Sequence, residues 1–325
     1  MEYCLIITPK SPKGDLLTTN GLFAVAKSPL GDLGVVKHLI ILLIFLFALS
    51  SCGREYNMEG GEMKLVIEGW IDEGEVAQVL LSRSVPISEL VDSSNFLNYA
   101  VRSAFVTVSD DTDCDTLRLK RAPQFITRFL YVGEKIIGKT GGTYKLTIRY
   151  VNPTDYTTQI LTAETTIPPS VPIKNENVQY IRQNPTDTTG SLLVDFTHPA
   201  DQQIYYQFAT RVSGSDSIFM PCLHGTFDSR NFDSPDMQVQ LLKGVSIFPN
   251  ANFASRYKDG DRISVRLRTM PKEGFDFWNL WQNEILNAQN PIFPANTSLK
   301  SNINGNGGIG IWCGYGQRTV RITAR

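Results

Sequence analysis

In the stretch "SAFVTVS", residues 103–109, apolar side chains recur with a period of two. Ala104, Val106 and Val108 fall on one side of an extended chain, and Phe105 and Thr107 fall on the other. This alternation is typical of a β-strand with one buried face. Similar short runs flank it: "KLVIEGW", "VAQVLLS", "TLRL", "TYKLTIRY" and "YTTQILTAETTI". Because no helical segment long enough for a crossover separates them, the pattern predicts a β-sandwich rather than an α/β sheet.

A proline-rich segment interrupts this strand pattern. "IPPSVPI" holds Pro168, Pro169 and Pro172, which indicates a stiff interdomain linker over residues 168–173. We therefore predict a mainly β protein with two tandem immunoglobulin-like sandwich domains, residues 64–167 and 174–325. Tyr144, shortly after a Gly-Gly turn, stands where such folds place a corner tyrosine.

One helix is predicted within the second domain. In "GFDFWNLWQNEILNAQN", Phe277, Trp281 and Ile285 recur at helical spacing, which favours a helix over about 274–289. Aromatic side chains usually bury their large area, so we expect this helix to cap the second sandwich. The alternative is an exposed aromatic surface for a ligand or partner. The residues that would form it are Phe275, Trp278 and Trp281.

The segment before the first strand has the layout of an export signal. An uncharged apolar run, residues 39–49, follows Lys37 and His38 and is about half the roughly 20 residues that a membrane span needs. It leads into "LSSC", which resembles the bacterial lipobox, where the cysteine thiol is alkylated by a diacylglycerol. We predict a lipoprotein signal peptide at 37–51, lipidation at Cys52 by palmitate-type acyl chains, and a lipid-anchored tether at 52–63. A free cysteine is the alternative.

The first 36 residues fit no targeting class. They contain a near-duplicate, "SPKGDL" and "SPLGDL". We expect residues 1–36 to be a non-native or mis-annotated leader, with initiation at Val35 or Val36, and we exclude them from the fold prediction.

Charge and cysteine content restrict the function further. Lysine plus arginine number 31 against 32 for aspartate plus glutamate, so no basic excess indicates a nucleic-acid partner.

The exported part holds Cys114, Cys222 and Cys313, an odd number in a compartment that permits disulfides. We favour a Cys222–Cys313 disulfide, since both residues fall in the second domain.

Three groups of polar or small residues are candidate sites. Asp111, Asp113 and Asp115 match the first ligands of an EF-hand loop. Thr116 and Ala122 occupy the positions of its glycine and glutamate, so a solvated hairpin tip is favoured over a calcium site.

"PCLHG" brings Cys222 near His224 in the sequence, and His198 is the other histidine of the exported part. These are too few groups for a catalytic triad or a zinc site. The glycines of "NGNGGIGIWCGYG" favour close backbone approach over phosphate binding. No catalytic residue, metal site or cofactor is predicted, and an enzyme is disfavoured.

Several of these motifs together resemble one family. The segments are the lipobox, "LVIEGWI", "LSRS", "AFVTVSDD", "GGTYKLTI", the Pro-Pro linker, "VDFTHP" and "SNINGNGGIGIWCGYG". They are similar to the domain-of-unknown-function 4249 lipoproteins of Bacteroidetes over essentially all of the exported chain. The sequence departs from the pattern at Cys313, where a less reactive residue is expected.

The resemblance implies a location and a partner. Such proteins are lipid-anchored in the outer membrane, are β-rich, have no established activity, and are often encoded beside a TonB-dependent transporter. We expect an accessory or solute-capture partner of such a transporter, on the periplasmic face or at the cell surface. The alternative is a structural or adhesive surface lipoprotein with no transport role.

Overall fold

Strands dominate the structure, as the period-two pattern predicts. The computed structural model describes residues 63–85, 96–153, 156–200, 202–244, 255–288 and 299–325, with side chains in the helix described up to residue 284. These residues belong to one compact unit, Glu62–Arg325. The predicted leader, signal peptide, Cys52 and tether lie outside the described residues, apart from Met63 at the tether's end.

In chain order the strands are β1 (Leu65–Asp72), β2 (Val76–Arg83), β3 (Phe105–Ser109), β4 (Cys114–Thr116), β5 (Arg118–Arg121), β6 (Phe129–Ile137), β7 (Thr143–Val151), β8 (Thr158–Thr166), β9 (Val178–Arg182), β10 (Thr189–Thr197), β11 (Tyr205–Val212), β12 (Met220–Asp228), β13 (Asp236–Leu241), β14 (Tyr257–Lys258), β15 (Arg262–Met270) and β16 (Gly308–Thr323). Helix α1 (Lys272–Ala288) lies between the last two.

An open eight-stranded sheet runs through both halves of the chain. Its order is β12-β11-β15-β16-β1-β2-β6-β5. The long strand β16 pairs in parallel with β1 from Gly308 to Tyr315 and antiparallel with β15 from Gly316 to Thr323. The mainly β, sandwich-like class predicted from the sequence is confirmed. Strands from both predicted domains share this sheet. The structure therefore does not show two separate domains, and that division stays a prediction.

Two four-stranded sheets cover one face of the large sheet. The first has the order β4-β3-β7-β8, and the second has the order β13-β10-β14 with β9 also paired to β10. Side chains of β16 contribute to the apolar cores beneath both small sheets, Trp312 to the first core and Val320 to the second. Side chains of a strand alternate between its faces, and Trp312 and Val320 are an even number of positions apart, so they point to the same face. Both small sheets therefore lie on the same side of the large one.

The opposite face of the large sheet carries helix α1. Phe277 and Trp278 are each 1% exposed and pack in one apolar cluster with Trp70, Ile311 and Tyr315 of the sheet. The predicted helix is confirmed and begins slightly earlier, at Lys272. Its cluster includes residues from both halves of the chain, so the helix covers the shared sheet rather than the second sandwich alone. Among the described residues, no helix combines the length and apolarity needed to cross a bilayer.

Two local predictions are confirmed by the backbone. The hydroxyl of Tyr144, which is 2% exposed, accepts a hydrogen bond of 2.8 Å from the backbone N–H of Lys139, as in a tyrosine corner. Gly310 has φ 135° and lies directly against the carbonyl oxygen of Ile67 on β1, where any Cβ would collide. A glycine is therefore required for β16 to approach β1 closely.

The proline-rich segment lies along the large sheet. It has no regular secondary structure and joins β8 to β9. The hydroxyl of Thr269 on β15 donates to the carbonyl oxygen of Pro169 at 2.9 Å, and Val171 is 3% exposed. The segment is thus packed against the sheet while it connects the two smaller sheets.

Candidate functional site

A cavity of about 230 Å³ opens on the same face of the eight-stranded sheet as helix α1. Its walls come from β1, β2, β11 and β15 and from the loops around Phe125 and Phe219. The charged residues that line it are Arg211, Arg266, Arg268, Asp72 and Glu75. Rigid strands thus hold most of its charged groups.

Strand alternation explains why these charges gather on one face. On β15, Val265 and Leu267 pack in the core beneath the second small sheet. Arg266 and Arg268 alternate with them and therefore point to the opposite face, which carries α1. The register of β11 with β15 pairs Ser264 with Arg211, which places Arg211 diagonally beside Arg266.

A buried ion pair forms the floor of the cavity. Nη2 of Arg268 donates to Oδ2 of Asp72 at 2.9 Å, and the two side chains are 0% and 5% exposed. The guanidinium of Arg268 also lies 4.3 Å from the ring centroid of Tyr315. A buried pair of this kind costs desolvation energy, so its strength depends on good geometry and neighbouring polar groups.

Two further guanidinium groups share one aromatic ring. The Cζ atoms of Arg266 and Arg211 lie 3.8 and 4.9 Å from the ring centroid of Phe219. Nη1 of Arg266 is 3.7 Å from Oδ2 of Asp72, which is an ion pair without a hydrogen bond. Burial, and then the charge of Arg268, lower the pKa of Arg266 to about 10, so this guanidinium stays charged at neutral pH.

Hydrogen-bond donors exceed acceptors in this cluster. Arg266 donates one long bond, from Nε to Oγ1 of Thr319 at 3.4 Å, and Arg211 donates none to any described residue. Each guanidinium carries five N–H donors. Oδ1 of Asp72 also has no hydrogen-bond partner among the described residues. The site therefore holds unused polar capacity beside apolar walls.

Two larger depressions lack this concentration of buried charge. One of about 700 Å³ lies beside β10 and β13 and is lined largely by exposed side chains such as Lys174 and Glu176. The other, of about 490 Å³, shares Arg211 with the cavity and adds Arg262 and Arg321. Its acid, Asp216, is already paired with Lys243 at 3.1 Å. The second depression thus extends the positive charge of the cavity along the sheet.

A family model described as "Domain of unknown function (DUF4249)" matches residues 54–321. The chain belongs to the DUF4249 family. The family resemblance noted from the sequence is therefore confirmed, and its lipoprotein character stays a prediction. No curated protein matches this DUF4249 chain.

Solved structures also match the DUF4249 chain. One of them is a DUF4785 family protein from Legionella pneumophila, which is 11% identical and is matched over 62% of the present chain with a TM-score of 0.21. The match spans 52% of that protein's own length. At this score the likeness supports no inference about fold or function.

The aromatic residues of α1 are largely buried in this DUF4249 protein. Nε1 of Trp278 donates to the hydroxyl of Tyr315 at 2.7 Å, and the ring of Phe275 stacks on Tyr205 with centroids 4.7 Å apart. Trp281 is half-buried and lies edge-on to Trp278 at 5.5 Å. The alternative of an exposed aromatic surface is therefore wrong for Trp278, because these rings anchor the helix to the sheet.

The preferred disulfide is not formed. Cys222 and Cys313 are both free and buried. Cys222 packs in the core beneath the second small sheet, whereas Cys313 packs under α1 on the opposite face of the large sheet. The prediction was wrong because two residues of one predicted domain face opposite sides of the shared sheet. Burial raises the pKa of each thiol to about 12, so both remain protonated at neutral pH.

The other candidate groups of the DUF4249 sequence do not converge. The hairpin tip is confirmed: Oδ1 of Asp110 accepts from the backbone N–H groups of Thr112 and Asp113, at 2.9 and 2.7 Å. Asp115 turns away from this tip and is buried. His198 bonds the hydroxyl of Tyr206 through Nδ1 at 2.8 Å, while His224 is exposed.

The arginine cavity itself was missed by the sequence analysis of this DUF4249 protein. A signal was present in "RISVRLRTM", where arginines alternate with apolar residues at the spacing of a strand. Such a pattern alone is typical of a solvated strand face. Only the pairing of β15 with β11 and β16, and of β16 with β1, places these arginines beside Asp72.

Proposed function

We propose that this DUF4249 protein is a lipid-anchored outer-membrane or cell-surface protein that captures a small solute for a TonB-dependent transporter. The observation that carries the capture role is the arginine-lined cavity, with donor groups that no described residue uses. Solute sites are commonly concave, with apolar walls and a few polar groups that fix orientation. The transporter partnership rests on the family resemblance and is an analogy.

The anchor follows from the lipobox at Cys52. Residues 53–64 separate this cysteine from β1, and an extended chain of that length reaches at most about 40 Å. Several acyl chains, at about 0.8 kcal/mol per buried methylene, would hold the protein firmly at a membrane surface. Intact-mass analysis of the membrane-derived protein should find a diacylglycerol thioether and acylation at Cys52. An unmodified thiol there, with the protein in the soluble fraction, would rule the anchor out.

A binding role agrees with the chemistry of the potential nucleophiles. The thiols of Cys222 and Cys313 have a pKa raised to about 12 by burial, which leaves almost no thiolate at neutral pH. Nδ1 of His198 bonds the hydroxyl of Tyr206, and the described hydrogen-bond partners of the Cys222 thiol are Thr210 and Tyr257. The cavity offers cations and aromatic rings, which suit binding and orientation of a charged solute.

The partnership can be tested in the native membrane. Outer membranes from cells with a tagged protein should be cross-linked, solubilised in detergent and purified through the tag. We expect a TonB-dependent barrel to be recovered, and expect its loss with Cys52→Ala, which releases the protein from the membrane. Recovery of the intact lipoprotein without any barrel would contradict the partnership.

An adhesive role is favoured by a different surface. On the outer face of the β4-β3-β7-β8 sheet, Phe105 and Ile160 are each 55% exposed and flank Arg149 in a row across three strands. Val151 nearby is 46% exposed. Exposed apolar residues in one patch often mark contact surfaces. Loss of attachment with unchanged solute uptake in a Phe105→Ser, Ile160→Ser variant would favour this second function.

A further inference from the structure

We infer that the arginine-lined cavity binds a small organic carboxylate, a monoanion whose body is apolar or aromatic. This inference rests on the proposed capture function and specifies the class of its ligand. Three features carry it: the charge balance of the cavity, the free guanidinium donors, and the aromatic walls.

The charge balance favours one negative charge on the ligand. Of the described residues that line the cavity, three are arginines and two are acids, which leaves an excess of one positive charge. Arg268 is already engaged by Asp72. A single carboxylate would neutralise the remainder, whereas a dianion would bring a second charge into a site that already holds Asp72 and Glu75.

The donors available for this carboxylate are on Arg211 and Arg266. Both guanidinium groups lie against the same ring of Phe219, so they are near each other. Two like charges this close repel, and an anion between them would relieve that repulsion. The planar guanidinium matches the two oxygens of a carboxylate in a bidentate arrangement.

The walls and volume define the rest of the ligand. Trp70, Phe125, Ile218 and Phe219 line the cavity beside the charged groups. Its volume of about 230 Å³ is below the roughly 300–1,000 Å³ of sites for drug-sized ligands. A compact body with apolar or aromatic surface fits such walls, and a strongly hydrated sugar or phosphate gains less from them.

The neighbouring depression would guide anions toward the cavity. It shares Arg211, and its additional arginines, Arg262 and Arg321, are exposed. A groove lined by one sign of charge raises the local concentration of oppositely charged solutes. We therefore place the entrance for the ligand on the Arg211 side.

The test is calorimetric titration of the full mature lipoprotein in detergent. The probes are phenylacetate, its uncharged analogue 2-phenylethanol, and inorganic phosphate. We expect saturable binding of phenylacetate, with binding of the other two weaker by about tenfold or more. Equal affinity for 2-phenylethanol, tighter binding of phosphate, or no binding of phenylacetate would each overturn the inference.

Matched variants locate the site. Arg211→Gln removes a guanidinium and its charge, and Phe219→Leu removes part of the aromatic wall. Arg149→Gln removes an exposed arginine from β7, which belongs to a different sheet. We expect the dissociation constant of phenylacetate to rise about tenfold to a hundredfold in Arg211→Gln and to stay unchanged in Arg149→Gln. An equal effect of both arginine variants would show non-specific charge attraction and would overturn the inference.

Failure of this inference is separable from failure of the proposed function. If the barrel is recovered with the protein but phenylacetate does not bind, the ligand class is wrong and the partnership stands. If phenylacetate binds at Arg211 but no barrel is recovered, the ligand class stands and the partnership fails.

Discussion

The two faces of the eight-stranded sheet are covered in different ways. One face lies beneath two four-stranded sheets. Its inward side chains are apolar and fully buried, for example Ile67, Val265 and Trp312, each 0% exposed. On the face that carries α1, Asp72 and Arg268 are buried to a similar degree, with 4% and 0% of the whole residue exposed, yet they are charged. Burial alone therefore does not predict whether a side chain of this sheet is apolar.

The geometry of the cover explains this difference. Helix α1 has 17 residues and is about 25 Å long at 1.5 Å per residue. Eight strands at about 4.8 Å spacing form a sheet about 34 Å across, so one helix cannot cover the whole face. The helix contacts β11, β12 and β16. Long charged side chains and a cavity occupy the part of the face that it leaves.

The largest effect is expected on the face beneath the small sheets. Trp312→Ala should lower the free energy of unfolding by about 4 kcal/mol, because it removes a fully buried ring and the hydrogen bond from Nε1 to the carbonyl oxygen of Tyr144. Denaturant unfolding followed by far-UV circular dichroism measures this. Trp281→Ala, which removes a half-buried ring of α1, is the control and should lower the free energy of unfolding clearly less. Equal losses would mean that the two faces are equally well packed.

On the helix face, the buried ion pair should give the next largest effect. Asp72→Ala should cost roughly 3 kcal/mol, because it leaves the buried Arg268 and the partly buried Arg266 without this carboxylate. The double variant Asp72→Leu, Arg268→Met should recover much of that loss, since apolar groups of similar volume often replace buried pairs without penalty. The same unfolding measurement applies. A double variant less stable than Asp72→Ala would show that the charges themselves stabilise the sheet.

Local features of the fold could be predicted from the sequence. The alternation in residues 103–109, the helical spacing near Trp281 and the turn before Tyr144 each depend on neighbours within a few positions. The structure confirms all three. Glycine in "NGNGGIGIWCGYG" likewise indicated close backbone contact, which Gly310 makes with Ile67.

Long-range pairing could not be predicted in this way. The parallel pairing of β1 with β16 joins residues more than 240 positions apart, such as Leu65 and Gly308, and no local pattern specifies it. The same pairing brings Asp72 of β1 close to Arg268 of β15 and so creates the candidate site. The wrong disulfide has the same origin, since the two cysteines were assigned to one domain without knowledge of the face each strand presents.

Asp115 on β4 connects the first small sheet to strand β6 of the large sheet and should make stability depend on pH. Its Oδ2 accepts from the backbone N–H groups of Glu134 and Lys135 at 2.7 Å each, and of Ile136 at 3.3 Å. Burial alone would raise the pKa of Asp115, but these hydrogen bonds lower it below its ordinary value. The stabilisation is therefore present above the unfolded pKa of about 3.9 and lost as pH falls through the lower folded pKa.

Asp115→Asn should cost roughly 1.5 kcal/mol at pH 7, and its difference from the unchanged protein should shrink below about pH 4. Unfolding curves between pH 7 and pH 3 measure this. Asp113→Asn, at the exposed hairpin tip, is the control and should track the unchanged protein. A constant difference for Asp115→Asn across this pH range would contradict a role for the ionised carboxylate.

The smallest effect on stability is expected in the cavity, at Arg211. This side chain makes no hydrogen bond to a described residue, and its contact with Phe219 is worth about 0.5–1 kcal/mol at a partly exposed site. Its removal also relieves repulsion with Arg266, which offsets that loss. Arg211→Gln should therefore change the free energy of unfolding by no more than about 0.5 kcal/mol while it weakens carboxylate binding. A loss above about 2 kcal/mol would assign the arginine to the fold, and the helix face would then differ from the covered face in packing chemistry rather than in function.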